Sequence, residues 1–455
     1  MQAANFYKSA AKNALKLKLV TQDLWKKNNL PQNAITQAHA TGFKAKLGEL
    51  VYFHDSEGKL KQIFIGAGDN EFEAALAIAA CNCPQNDYYL EQEVSARAIL
   101  MWALAQYKFT KYKKNPEKPR CLCLDKNTLK NSIIAADALF LVRDLINTPA
   151  EDMGPLELAK TAHALAKEFG AKCNVISGDD LLAKNFPAIH AVGRASSMPP
   201  CLIELAFGKK NHPLIAIVGK GVCFDSGGLD LKDAKSMRLM KKDMGGAAHA
   251  LGLAKWIMAL NLPIRIKVLI AAAENAIGAN AYRPGDVVTM RNKLTVEIEN
   301  TDAEGRMVMA DALVKACEDK PDLIIDLATL TGAARVAVGT EIAAFFTNDE
   351  KLAASLQKSS DITKDPLWRL PLFKDYSSML ASSIADLVNA SSTGYAGAIT
   401  AALFLQRFIQ KNLSWVHFDM MAWNLKSKPG KPEGGEAMAL CALMHYLNEH
   451  YTKRE

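Results

Sequence analysis

Beyond about residue 214, short apolar runs alternate with longer helix-period segments, and this alternation constrains the fold more than any other feature of the 455-residue chain. Leu214 to Val218, Lys267 to Ala272 and Leu323 to Asp326 read as strands. Each is short and dominated by apolar residues, as a strand covered on both faces must be. Between them, Gly246 to Leu260 and Arg306 to Cys317 have helical length and period. Strands and helices in turn build a largely parallel sheet sandwiched by helices. The chain is long for one core. The expected architecture is therefore α/β, with a small N-terminal α/β domain over residues 1–130 and a larger α/β/α domain, with a mostly parallel central sheet, over residues 131–455.

Within the first domain, the pattern predicts a helical N-terminus, a hairpin around His54 to Lys59 and a helix from about Glu91 to Tyr107. A lysine- and proline-rich stretch, Lys108 to Arg120, precedes a strand at Cys121 to Asp125. An amphipathic helix from Leu129 to Ile146 leads into the second domain.

The strongest sign of function is Asn300-Thr301-Asp302-Ala303-Glu304-Gly305-Arg306. If extended, it would aim Asp302, Glu304 and Arg306 at one point, because residues two apart share a face. Two carboxylates and a guanidinium suit a metal site with an anion beside it, whereas an acidic surface loop is the plainer alternative. A second cluster tips the balance. It runs from Lys220 through Asp225 to Lys232 and on to Met240-Lys241-Lys242-Asp243. The strand ending at Val218 would put Lys220 and Asp225 in the loop at its carboxyl end, where open α/β sheets bind ligands. Asp225, Asp243, Asp302 and Glu304 offer enough carboxylate for two divalent cations. Lys220 is a candidate nitrogen ligand, a role it could fill only when neutral.

These segments resemble the signatures of the leucyl aminopeptidase family, the M17 dinuclear metallo-exopeptidases. The likeness extends through Tyr282-Arg283-Pro284-Gly285-Asp286, Asp326 to Gly332 and Asp144 to Pro149, covering roughly Asp144 to the C-terminus. The resemblance implies that Lys220, Asp225, Asp243, Asp302 and Glu304 bind two ions, manganese or zinc. Asp225 and Glu304 would bridge them, Asp302 would serve the more exchangeable ion, and Lys220 with Asp243 the tighter one. Lys232 would donate to the scissile carbonyl, and Arg306 would hold a bicarbonate ion acting as general base. A bridging metal-bound water or hydroxide would attack the peptide. Met240, Asn300, Thr329, Leu330 and Gly332 would line the site for the first side chain, with leucine or other apolar residues preferred. The resemblance further implies peptide substrates and a homohexamer.

The chain departs from the family pattern at Met420-Met421-Ala422-Trp423, where a small Ala-Gly pair is usual. It also departs at Thr393 to Ala398, which keeps only part of the usual glycine. Both bear on substrate preference rather than on reaction type.

Other chemistries are excluded. Gly219-Lys220-Gly221 begins a dinucleotide fingerprint, but Phe224 stands at the third glycine position, and no phosphate-loop Gly-Lys-Ser/Thr follows. No His-Glu-x-x-His helix exists. His417, among bulky apolar residues, reads as a core histidine, so the expected site contains none of the nine histidines. Cys223 reads as a buried structural thiol. A dinuclear phosphatase could use the same carboxylates but would not explain a lysine ligand.

The net charge of +7 lies entirely in residues 1–130, which hold 19 Lys and Arg against 12 Asp and Glu, leaving 36 of each sign in the rest. The densest patch comprises Lys108, Lys111, Lys113, Lys114, Lys118 and Arg120. A solvated basic loop is favoured over a nucleic-acid face or regulatory surface, because no reading motif accompanies it. No apolar run reaches membrane-spanning length. Met1 to Leu30 lacks a signal-peptide core, and the first arginine is Arg97. Nine cysteines, two pairs of them as Cys-x-Cys, form no disulfide framework. A cytoplasmic location without membrane attachment is expected.

Overall fold

The computed structural model describes residues 2–9, 11–27, 30, 32–114 and 117–452. Two compact units emerge, Met1–Phe140 with Lys426–Glu433, and Leu141–Leu425 with Gly434–Glu455. The helix Lys126–Asn147 runs from one into the other, so residue 130 falls within a helix.

The first unit is built on six strands, β1 Tyr7–Lys8, β2 Leu15–Val20, β3 Leu50–His54, β4 Leu60–Gly66, β5 Asp87–Leu90 and β6 Cys121–Cys123. They are ordered β1-β6-β5-β2-β4-β3, and only the β3/β4 pair is antiparallel. The helical N-terminus predicted from sequence is overturned by β2. Its Leu-Lys-Leu-Lys-Leu-Val has period two, which buries Leu17 and Leu19 and leaves Lys16 and Lys18 outward. Among the described residues of this stretch, a single short turn of helix, Ala3–Asn5, precedes β2, and helices follow at Gln22–Lys26 and Gln32–Ala40. The β3/β4 hairpin forms as expected. Asp55 Oδ1 accepts from the Glu57 and Lys59 amides, and Gly58 takes φ 75°. The helix predicted from Glu91 begins later, at Ala96, because Ser95 caps it by accepting from the Ala98 amide.

The second unit continues with β7 Lys172–Ser177, β8 Cys201–Phe207, β9 Leu214–Asp225, β10 Arg265–Asn275, β11 Val287–Thr289, β12 Thr295–Glu297, β13 Leu323–Ala328, β14 Ala343–Thr347, β15 Leu367–Arg369, β16 Leu387–Val388 and β17 Trp415–Asp419. Eight of these form the main sheet, in the order β15-β14-β17-β13-β9-β10-β8-β7. The centre, β17-β13-β9-β10, is wholly parallel, and antiparallel pairings lie outside it. Helices Gly245–Leu260 and Glu304–Glu318 cover β9 from opposite sides. That double covering is why β9 is apolar on both faces. β9 and β10 end together at Asp225 and Asn275, β13 stops earlier, beside Gly219 and Lys220, and the carboxyl ends of these strands carry the groups described next. Among the described residues, no helix is long and apolar enough to cross a membrane.

Candidate metal centre

Lys220 lies within a strand rather than in a loop after Val218, because β9 runs on as far as Asp225. Gly219 and Gly221 look like strand breakers in sequence, yet they serve close packing. A Cβ on Gly219 would lie 2.8 Å from Ala247 Cα, and one on Gly221 would lie 2.9 Å from Ala271 O. Lys220, between them, points to the opposite face from Gly219 and meets the first turn of the Glu304–Glu318 helix.

The segment from Asn300 to Arg306 is likewise not extended. It turns at Thr301 and Asp302 and becomes helical at Glu304, so Arg306 sits in the first helical turn. The turn is clamped from outside. Asn389 Oδ1 accepts from the Glu299 and Asn300 amides at 2.8 and 3.1 Å, and its Nδ2 donates to Asn300 O at 2.7 Å. Asp230 Oδ2 accepts from the Thr301 amide at 2.7 Å, while Tyr282 Oη donates to Thr301 O at 2.7 Å.

This turn, rather than a strand pleat, brings Asp302 and Glu304 to Asp225, with ligand oxygens of all three within 4.8 Å of one another. Asp243, from the short helix Met240–Met244, joins through Lys220, whose Nζ lies 2.6 Å from Asp243 Oδ2 and 2.9 Å from Glu304 Oε1. Both are close charge contacts, but neither oxygen receives a well-directed hydrogen bond. Lys232 Nζ lies 2.9 Å from Asp225 Oδ2 and also pairs with Asp302. Arg306 does not converge with the acids. Its Nη1 donates to Asn389 O at 2.8 Å, and its Nε is buried without a hydrogen-bond partner.

Charge dominates the site. Lys220, Asp225, Asp243 and Glu304 are each no more than 3% exposed. Burial, followed by repulsion from Asp225, pushes Glu304 up to about 8 and Asp302 up to about 6. Burial opposes the charge on Lys220 and on Lys232, but the surrounding carboxylates outweigh it and hold both ammonium groups above their ordinary value. Four carboxylates face two lysines, and buried Asp243 Oδ2 and Glu304 Oε1 still lack directed donors. Such a donor set, all oxygen but for the lysines, fits divalent cations.

The profile of the cytosol aminopeptidase family catalytic domain matches residues 140–444, and that of the M17 aminopeptidase N-terminal domain matches residues 17–124. The chain belongs to the cytosol aminopeptidase family. This membership makes it a hydrolase of the aminopeptidase class. It is 37% identical to a probable cytosol aminopeptidase of Chlamydia felis, over 92% of this chain and 91% of that one. The match to the Chlamydia caviae protein is 42% over 324 residues and spans 65% of its length. The crystal structure of the Coxiella burnetii cytosol aminopeptidase superposes with a TM-score of 0.94 at 46% identity, covering 98% of this chain and 99% of that one. The bottromycin maturation enzyme BotP in complex with Mn superposes with a TM-score of 0.87 at 32% identity, covering 96% and 99%.

Around this cluster, the other expected site residues fall as follows. Met240 is half-buried at the start of its short helix, and Asn300 is exposed, with Oδ1 accepting from the Asp302 amide at 2.7 Å. Thr329 is buried, its hydroxyl 2.8 Å from Asp243 Oδ1. The Leu330 and Thr331 amides are taken by Asp419 Oδ1, and Gly332 is exposed. Met420, Met421, Ala422 and Trp423 are all buried. His417 is fully buried and pairs through Nδ1 with Asp326. Burial pushes the Cys223 thiol well above its ordinary value, as befits a structural residue.

Sequence reasoning missed Asn389 and Asn275. Asn275 Nδ2 donates to Asp225 Oδ1 at 2.8 Å and to Thr301 O at 3.1 Å, tying the strand acid to the turn. Asn275 ends an apolar strand, a position where a polar residue facing a ligand gives a faint signal. Asn389 has none, since its partners lie more than 80 positions away.

Proposed function

We propose that this family member is a metal-dependent aminopeptidase that releases N-terminal residues, leucine and other apolar ones preferred, from peptides. The reading rests above all on the buried cluster in which Asp225, Asp243, Asp302 and Glu304 surround Lys220 and Lys232. Lys220, once an incoming cation displaces its proton, and the four carboxylates would hold two divalent cations, manganese or zinc. When bound, such cations supply Lewis-acid polarisation of a carbonyl and a lowered pKa for water.

The chain's own residues do the rest. Asn275 and Thr329 fix the carboxylates of Asp225 and Asp243, so the ligand oxygens are oriented before substrate arrives. Lys232, kept protonated by Asp225 and Asp302, donates to the scissile carbonyl oxygen as it gains negative charge, a contribution of about 3 kcal/mol. Arg306, with a spare buried Nε donor, would hold bicarbonate as a general base. Met240 offers an adaptable apolar wall to the first side chain. The family resemblance carries the further proposal of a homohexamer, and the nine free cysteines suit a cytoplasmic compartment.

Hydrolysis of leucine p-nitroanilide by dialysed and manganese-loaded protein tests this reading. Metal should restore activity to wild type. Asp302→Ala should stay low, and Lys232→Ala should lose about 100-fold in kcat while retaining metal. Equal activity in dialysed protein, both variants and loaded wild type would overturn the reading.

A further inference from the structure

Most described residues of the basic stretch between Lys108 and Arg120 are exposed, as a solvated loop requires, but several of them face one cavity. Within the N-terminal unit the stretch walls a cavity of about 630 Å³, a size that accommodates a nucleotide-sized ligand. Lys108, Lys114, Lys118 and Arg120 line it, against a single acid, Glu117. None of these four cations forms an ion pair with a carboxylate among the described residues.

Arg120 is held in place with unusual thoroughness. Its amide donates to Gln106 Oε1 at 2.8 Å, its carbonyl accepts from Trp102 Nε1 and Gln106 Nε2 at 3.0 Å each, and its Nε donates to Cys83 O. Trp102 and Gln106 are both buried. Two buried polar side chains thus fix the Arg120 backbone and Cys83 O holds its Nε, while among the described residues no carboxylate forms an ion pair with its guanidinium. A pre-positioned planar guanidinium flanked by lysines is the chemistry that grips phosphate oxygens. Ala80, Ala105 and Pro119 add an apolar side to the same cavity, suited to the face of a base or sugar.

We propose that this cavity binds a small phosphorylated anion of nucleotide size. Its concave form favours such a molecule over duplex DNA, whose backbone is convex and meets basic surfaces from outside. The proposal does not rest on the peptidase reading, since catalysis enters its test only as a check of folding.

The test titrates metal-loaded full-length protein with pyrophosphate and with ADP at low ionic strength. Binding is followed by calorimetry and by tryptophan fluorescence, because Trp102 bonds directly to Arg120. Saturable binding at one ligand per chain is expected, weakened at least tenfold in Arg120→Gln. The same loss is expected in Lys108→Gln/Lys118→Gln, which alters only exposed side chains, with leucine p-nitroanilide turnover unchanged in both variants. Binding retained in both variants would place the anion elsewhere, for example at the metal centre, and overturn the proposal. Absence of saturation at millimolar ligand would also overturn it. So would salt-sensitive binding of a short DNA duplex that ADP cannot displace.

Discussion

Replacing Gly305 with alanine should destabilise this protein, although most substitutions of this kind in a helix do the opposite. Gly305 lies in the first turn of the Glu304–Glu318 helix and is not among the glycines with positive φ. Alanine would therefore fit the backbone and, by propensity alone, add about 1 kcal/mol of stability. Its Cβ, however, would lie 2.6 Å from Lys220 Cε and 2.7 Å from Lys220 Nζ. Restoring ordinary contact at 3.4 Å requires the lysine to move by about 0.8 Å. That movement disturbs a buried ammonium held at 2.6 Å from Asp243 and 2.9 Å from Glu304. Overpacking of this kind costs about 1–3 kcal/mol, and losing a buried charge contact costs about 3–5 kcal/mol. The expected net is a loss of about 3–7 kcal/mol, seen as a drop in Tm of several degrees or more. A fall of about 100-fold in leucine p-nitroanilide turnover at saturating manganese should accompany it. A Tm equal to or above that of wild type, with turnover intact, would show that Lys220 does not occupy the space beside Gly305, and the site geometry would have to be redrawn.

Asn389→Ala should leave the Glu299 and Asn300 amides and the Asn300 carbonyl without their buried partner, at about 1–3 kcal/mol each when fully desolvated. Manganese affinity, measured by equilibrium dialysis, should fall about 10- to 100-fold, whereas unchanged affinity would remove Asn389 from the machinery that positions Asp302 and Glu304. His249 predicts acid sensitivity. It is fully buried, Nδ1 donates to Gly245 O at 2.6 Å, and Nε2 accepts from the Met438 amide at 2.9 Å, so only the neutral ring satisfies both contacts. Burial pushes it down to about 4. The unfolded chain therefore binds more protons between about pH 6.5 and pH 4, and stability is lost as pH falls through that window, by about 2 kcal/mol from pH 7 to pH 5. The Tm of His249→Gln should fall less steeply over the same range, and parallel profiles would refute the assignment.

The central sheet was legible in sequence because its strands are buried on both faces and so carry unbroken apolar runs, β9 above all. The two segments that the structure brings into one acidic cluster were legible because acids and lysines stand out against such runs. The local geometry was not. Gly219 and Gly221 read as the end of a strand, whereas close approach of a helix at Gly219 and of the neighbouring strand β10 at Gly221 demands them. Alternating acids at Asp302 and Glu304 read as a pleat, but a turn clamped by Asn389, Asp230 and Tyr282 brings them together. The alternating leucines and lysines of β2 were a plain strand signal that the lysine-rich N-terminus obscured. Long-range hydrogen bonds, such as those of Asn389 and Asn275, leave no spacing for a single sequence to display.

Metal binding by the acids around Lys220 is what the proposed reaction requires above all. Metal analysis of manganese-loaded, desalted protein, run beside Asp302→Ala and Glu304→Gln, measures this directly. Two ions per chain in the wild type are predicted, with at most one in each variant and leucine p-nitroanilide turnover lost in step. Wild type that retains no manganese, or variants that bind as much as wild type, would show that these acids do not form the metal centre.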